Sequence, residues 1–220
     1  MKHSLEVAVD ADAVAAGAAA YVAGMARAAV SQRGRFTFAV SGGHTPWAMF
    51  RELAGEDMPW AQTELFQVDE RVAPDGDPDR NLTNLQASIG DAPARIHPMP
   101  VTATDLQKAA ADYATALPQL FDLVHLGLGP DGHTASLVPG DPVLGVTDAL
   151  VGVTQPYQGH QRMTLTYPGL ARADQLLWLI TGTDKREPLA KLLAGDESIP
   201  AGRVQAAHSL VLADAAAAAT

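Results

Sequence analysis

Residues 121–136 read FDLVHLGLGPDGHTAS. Phe121, Leu123, Val124, Leu126 and Leu128 make an apolar run that meets Gly-Leu-Gly-Pro-Asp-Gly and then His133. A short apolar run bounded by glycines predicts a buried parallel strand, and the glycines predict the turn at its carboxyl end. Open α/β sheets hold their ligands at such ends. The stretch therefore predicts that Asp131, His133 and exposed backbone amides meet at one spot.

Working outward, strands and helices alternate along the whole chain. Residues 4–9 alternate like a strand, and Asp10 or Asp12 is placed to cap the helix that follows. Residues 35–40 (RFTFAV) predict a second strand ending at Ser41-Gly42-Gly43, after which Thr45 is expected to cap a helix through Leu53 with Pro46 in its first position. Residues 64–68 (ELFQV) predict a third strand, ending at Asp69-Glu70-Arg71. A polar loop over 74–80 leads to a short helix over 81–88. Residues 102–117 predict a longer helix with Leu106, Ala109, Ala110, Tyr113 and Leu117 on one face, stopped by Pro118. Beyond the central run, 151–153 and 163–165 are short strand candidates and 176–180 (LLWLI) a buried one. Asp184 is expected to cap a helix through Leu193 with Gly195 past its end, and a strand over 208–212 precedes an Ala-rich helical tail. No repeat, linker or low-complexity block interrupts the pattern. The expectation is one α/β domain over residues 1–220, a doubly wound, mainly parallel sheet with helices on both faces.

Composition narrows the function classes. The chain has 220 residues, 47% of them hydrophobic and 18% charged, as in ordinary globular proteins. Its formal net charge of −10, from 25 acidic and 15 basic residues, argues against nucleic acid and anionic membranes as partners. A phosphorylated substrate would need local cations acting against that field. The chain has no cysteine, which excludes disulfides, thiolate metal sites and a Cys nucleophile. Residues 13–25 (AVAAGAAAYVAGM) are apolar, but Glu6, Asp10 and Asp12 precede them and Val14, Ala18, Tyr21, Val22, Met25 and Ala29 share a helical face. A core-packed helix of a cytoplasmic protein is expected there, with no segment approaching a membrane span.

Three constellations carry candidate chemistry. Ser41-Gly42-Gly43-His44-Thr45-Pro46 joins strand to helix through glycines that let the backbone approach a ligand and aim its amides at an anion. It matches neither a Walker loop nor GxGxxG, so nucleotide binding has no support. Asp69-Glu70-Arg71 supplies a planar clamp for phosphate in Arg71, with acids to hold it or to face hydroxyls; taken alone, it reads as a solvated strand end. Asp131-Gly132-His133 supplies a side chain able to act as a base near neutral pH. Asp131 either orients that histidine or contacts substrate. Two isolated cations, Arg162 and Lys185, complete the set, and Lys185 sits by a helix start where a phosphate would lie. His125, inside the apolar run, reads as a core residue. No GxSxG elbow or HExxH spacing appears.

Taken together, FAVSGGHTPWAMFREL, FQVDERVAP with RNLTNL, FDLVHLGLGPDGHTASLVPG, RMTLTYPGL and TGTDKREPL resemble the 6-phosphogluconolactonase family, in family order from about Phe36 to Leu189. The resemblance implies the α/β fold shared with glucosamine-6-phosphate deaminase and hydrolysis of 6-phospho-D-glucono-1,5-lactone without a metal or organic cofactor. It makes His133 the base with Asp131 beside it. It assigns substrate binding to Ser41, Gly42, Gly43, Thr45, Asp69, Arg71, Asn81, Arg162 and Lys185. His44 departs from the pattern, standing where a small polar residue is common. The deaminases resemble this chain at Asp-Gly-His but continue with Asn-Glu-Pro; Thr134-Ala135-Ser136 here lacks that carboxylate. A sugar-phosphate sensor attached to a DNA-binding module is disfavoured by the acidic charge. The implied partner is a small sugar-phosphate lactone; oligomeric state is left open.

Overall fold

A computed structural model describes residues 3–219. Seven parallel strands form the main sheet: β1 (Ser4–Ala8), β2 (Phe36–Val40), β3 (Thr63–Gln67), β5 (Arg95–His97), β6 (Phe121–Leu126), β9 (Ala173–Ile180) and β10 (His208–Asp214), in the order β1-β10-β9-β6-β2-β3-β5. From β2 the chain winds one way through β3 and β5. It then returns to β6 and winds the other way. The order thus reverses between β2 and β6, where a crevice opens at the carboxyl ends of the strands.

The inner strands are apolar on both sides because both faces are covered. Leu176, Trp178 and Ile180 of β9 join one core cluster and Leu177 and Leu179 the other. The second cluster is roofed by α1 (Ala11–Arg33), α2 (His44–Leu53) and α3 (Asn81–Ile89); the first by α4 (Leu106–Ala116), α5 (Tyr167–Leu170), α6 (Arg186–Ala194) and α7 (Ala215–Ala218). Asp10 caps α1 by accepting from the Ala13 amide, and Gly34 closes it in the left-handed conformation. By length and composition α1 could cross a membrane, contrary to the expectation that no segment approaches a span. Here Val14, Ala15, Ala18, Ala19, Val22 and Ala26 are buried in the core.

Four local expectations are corrected. A second sheet of three antiparallel strands, β4 (Asp69–Arg71), β8 (Arg162–Leu165) and β7 (Val151–Val153), stands apart from the parallel one. It makes residues 69–71 a buried strand rather than a solvated end, with Asp69 4% and Glu70 0% exposed. Helix α2 begins at His44 with Gly43 as an N-cap without a side-chain bond, so Thr45 is not the cap; its hydroxyl pairs with that of Thr181 at 2.8 Å. Asp184 does not cap α6 either, because a single 3-10 turn over Thr183–Lys185 intervenes and the carboxylate pairs with Lys185. Helix α4 starts later than predicted, where Asp105 accepts from the Lys108 amide.

Strands β2 and β6 exchange ladder partners only around Phe38–Ala39 and Leu123–Val124. Beyond that patch, side chains from β6 take over. Asp122 accepts from the Thr37 amide at 2.8 Å, and His125 Nδ1 accepts from the Ser41 amide at 3.2 Å. The two strands are thereby fixed at both ends, by Asp122 at their amino ends and by His125 beside the crevice.

Candidate active site

The carboxyl ends of β2, β4, β6 and β9 and the amino end of β8 surround a cleft of about 400 Å³. Every candidate site residue drawn from the sequence lines it except Asp131, which stands behind His133. Thr181, Leu128, Gly129 and Pro130 also line it and were not singled out. Thr181 was legible only as part of a strand-end turn; its partnership with Thr45 spans 136 residues.

The loop after β6 is shaped by its glycines. A Cβ on Gly129 would run into the His133 ring and the Asp131 carboxylate, so only glycine lets the pair fold back over the backbone. The Gly129 amide donates to the His133 carbonyl at 2.8 Å, and the Thr134 hydroxyl donates to the Gly127 carbonyl at 2.8 Å. Ala135 takes a φ of 48°, a left-handed conformation unfavourable for a residue with a Cβ and typical of sites where geometry is over-determined.

His133 Nδ1 lies 2.6 Å from Asp131 Oδ1, which also accepts the His133 amide at 3.1 Å. Partial burial works to raise the Asp131 pKa, but the hydrogen bonds from the His133 ring and backbone outweigh it and hold the carboxyl below its ordinary value. An ionised Asp131 selects the tautomer with the proton on Nδ1. That leaves the Nε2 lone pair free to accept a proton. His125 behaves in the opposite way. Fully buried, it is pushed down to about 3 by loss of solvation, stays neutral, and uses Nδ1 to hold the Ser41 amide. It is a core residue, as its place in the apolar run predicts.

The acidic strand β4 organises the cationic side of the cleft. Glu70, although charged and buried, accepts from the amides of Arg71, Asn81 and Leu82 and from Gln67 Nε2 at 2.7–2.8 Å, and it pairs with buried Arg80 at 3.1 Å. Asn81 and Leu82 begin α3, so Glu70 caps that helix from another element. Asn81 reaches back with Nδ2 to the Asp69 carbonyl and carboxylate and accepts from Arg71 Nη1 at 3.0 Å through Oδ1. Its amide group is thus occupied in orienting its neighbours. A Cβ on Gly42 would collide with that side chain, so glycine brings the Ser41–Thr45 turn against α3.

Arg71 also donates to the Asp79 carbonyl at 2.6 Å. Buried Arg162 faces Asp69 across the small sheet; loss of solvation lowers its pKa, Asp69 opposes the shift, and Arg71 reinforces it. The Nε atoms of Arg71 and Arg162 are both buried without a hydrogen-bond partner among the described residues. Two incompletely satisfied guanidinium groups facing one cleft are a signature of a site that receives an anion. Lys185, at the start of α6, holds Asp184 at 2.7 Å. The Ser41 amide is committed to His125, so the turn's remaining amides and its hydroxyls are what it presents to a ligand.

A doubly wound sheet, a crevice at its switch point, a histidine–carboxylate pair and converging cations define an α/β enzyme for a small anionic substrate. Comparison with known proteins makes this specific. Residues 9–213 match the family described as glucosamine-6-phosphate isomerases/6-phosphogluconolactonase. The chain is 35% identical over 200 residues to a 6-phosphogluconolactonase of Synechocystis sp., covering 83% of each, and 34% identical over 235 residues to one of Nostoc sp., covering 99% of this chain and 98% of that one. The crystal structure of a 6-phosphogluconolactonase from Thermotoga maritima superposes with a TM-score of 0.87 at 25% identity, over 97% of this chain and 100% of that one. The chain belongs to the glucosamine-6-phosphate isomerase/6-phosphogluconolactonase family.

Proposed function

We propose that the chain hydrolyses 6-phospho-D-glucono-1,5-lactone to 6-phospho-D-gluconate, the lactone-opening step of the oxidative pentose phosphate pathway, in the cytoplasm. The observation that carries this reading is His133, held through Nδ1 at 2.6 Å by Asp131, in the cleft that Arg71, Arg162 and Lys185 make cationic. A δ-lactone is an activated ester, so a positioned base and water suffice for its hydrolysis. Neutral His133 Nε2 takes a proton from water as the oxygen attacks C1, and Asp131 balances the imidazolium that forms. The C1–ring-oxygen bond then breaks, and the imidazolium returns the proton to the departing ring oxygen. The net change is one water added across one ester bond. Such general acid–base help is worth about 10²–10⁴-fold.

The cations act on the distant phosphate, supplying binding and orientation rather than bond-making. The Gly43–Thr45 turn offers amides and a hydroxyl at the start of α2, where the helix dipole favours an anion. Asp69 is held by Ser136 Oγ at 2.7 Å and by Asn81, and it offers a carboxylate to sugar hydroxyls. In the loop that follows β6, Ala135 stands where the Asn-Glu-Pro continuation of the deaminases would put the second carboxylate that moves a proton between carbons.

The test is substrate choice. The chain is incubated with 6-phosphogluconolactone generated in situ, with glucono-1,5-lactone, and with glucosamine 6-phosphate. The expected result is hydrolysis of the phosphorylated lactone far above its spontaneous rate, a large loss of kcat/KM without the phosphate, and no turnover of the amino sugar. Lactone loss at the spontaneous rate, or ammonia release from glucosamine 6-phosphate, would overturn the proposal.

A further inference from the structure

The Asp131–His133 pair has a third neighbour that neither the motifs nor the proposed chemistry includes. Tyr157 comes from the connection between β7 and β8. There the Tyr157 and His160 backbones bond each other at 2.9 and 3.2 Å around Gln158 and Gly159, at φ 50° and 84°. Two consecutive left-handed residues make a tight two-residue hairpin of fixed geometry, in which Gln158 bears the strain of its Cβ. His160 Nε2 ties the hairpin to Asp79 at 3.1 Å, on the loop that also supplies the Arg71 partner. The hairpin thus has little freedom, and what its tyrosine touches is set by the fold.

That tyrosine touches both halves of the site. Its hydroxyl donates to Asp131 Oδ2 at 3.3 Å, the oxygen that His133 leaves unused, and its ring meets the His133 ring edge-on at a centroid distance of 5.7 Å. On its other side the Arg162 guanidinium lies 5.2 Å from the ring centroid. Gln158 joins the group, donating to the Tyr157 hydroxyl at 3.4 Å and accepting from Arg162 Nη2 at 3.5 Å.

Resting on the lactonase reading of this cleft, we propose that Tyr157 is a positioning residue: its phenol fixes the Asp131 carboxylate that orients His133, and its ring is the shelf that aims Arg162 at the substrate. A carboxylate with both oxygens engaged cannot rotate away from the imidazole, so the Nδ1–H tautomer is maintained. A guanidinium placed over an aromatic face is held by a contact that needs none of its N–H donors, so those other than the one Gln158 accepts stay available for an anion. The charged and titratable groups facing Tyr157 are Asp131 and His133 from the β6 loop and Arg162 from β8, with Asp69 and Arg71 of β4 behind that arginine. Burial and the Asp131 charge raise the phenol's pKa, with Arg162 opposing, which keeps it a donor at neutral pH.

The experiment compares wild type, Tyr157→Phe and Tyr157→Leu. The phenylalanine variant loses one oxygen and keeps the shelf. Its kcat should fall about threefold to tenfold, the scale of one hydrogen bond, with KM within twofold of wild type. Without the phenol, more of the Asp131 charge is left to stabilise imidazolium, so the acid limb of kcat/KM moves to higher pH. The His133 ring signals, followed by NMR in the free protein, titrate at a correspondingly higher pH. The leucine variant should show these changes and a raised KM besides. An unmoved His133 titration in Tyr157→Phe overturns the proposal. The NMR arm needs no substrate, so failure of the wild type to open the lactone would condemn the lactonase reading while leaving Tyr157's link to the pair separately decided.

Discussion

Two histidine–carboxylate pairs of nearly the same dimensions stand in this molecule. His133 meets Asp131 at 2.6 Å, and His97 meets Glu64 at 2.8 Å. Their exposures are also alike, with the histidine side chains 20% and 17% accessible. The difference is in what surrounds them. Glu64 and His97 lie on adjacent strands β3 and β5, and the imidazole lies flat on Phe66 at 4.2 Å with the rings 2° from parallel. That pair fastens a short last strand to the sheet, away from the crevice. Asp131 and His133 sit two residues apart in a glycine-shaped loop at the switch point, facing guanidinium groups without full complements of partners. A paired histidine is therefore not in itself a catalytic signature; what sets His133 apart is its position at the carboxyl end of the sheet and the guanidinium groups opposite it.

The comparison breaks first on mutation. His133→Gln should lower kcat by about 10²–10⁴-fold, the worth of general acid–base catalysis, whereas His97→Gln should leave kcat within twofold and show only as a lower denaturation midpoint. Equal effects of the two on kcat would erase the distinction. Next comes Glu70→Gln, which uncouples the buried Arg80 and weakens the cap on α3; it should cost about 3–5 kcal/mol of stability in urea titrations. Lys185→Ala should raise KM with little change in kcat, by the equivalent of about 1.5–3 kcal/mol for one charge-assisted bond. An unchanged KM would remove Lys185 from the binding set.

A third histidine sharpens the contrast through pH. His125 is neutral in the fold at pH values where the unfolded chain's histidine, with a pKa near ~6.5, is protonated. The unfolded state then binds more protons, so stability falls as pH drops below ~6.5 and continues to fall until the folded value of about 3 is reached. In denaturant titrations between pH 6 and 4, His125→Asn should lose about 1.4 kcal/mol less per pH unit than wild type. Parallel slopes would count against a neutral, structural His125.

The sequence carried the parts of this site that are local. The apolar run into GLGPDGH placed the β6 loop, its histidine and its aspartate correctly, because a buried parallel strand and its glycine turn need only a dozen residues to declare themselves. Residues 69–71 misled when taken alone, since consecutive charges look solvated until Arg80, Asn81 and α3 are folded over them. The antiparallel sheet was hidden for the same reason: β4 has three residues, and its partner β8 lies some 90 positions on. Thr45 and Asp184 looked like helix caps by spacing, but distant Thr181 claimed the first side chain, and a 3-10 turn directed the second onto adjacent Lys185. Tyr157 gave no local signal, because it meets Asp131 across 26 residues through a hairpin whose geometry rests on Gln158 accepting a positive φ.

The most direct test of the central claim, that His133 is the base that activates water, is chemical rescue. His133→Ala would be assayed on 6-phosphogluconolactone made in situ, with and without added imidazole, after correction for the lactone's loss in imidazole alone. The account predicts a nearly inactive variant whose rate rises with imidazole and follows its neutral fraction as pH is changed. A variant that opens the lactone as fast as wild type without imidazole would contradict it.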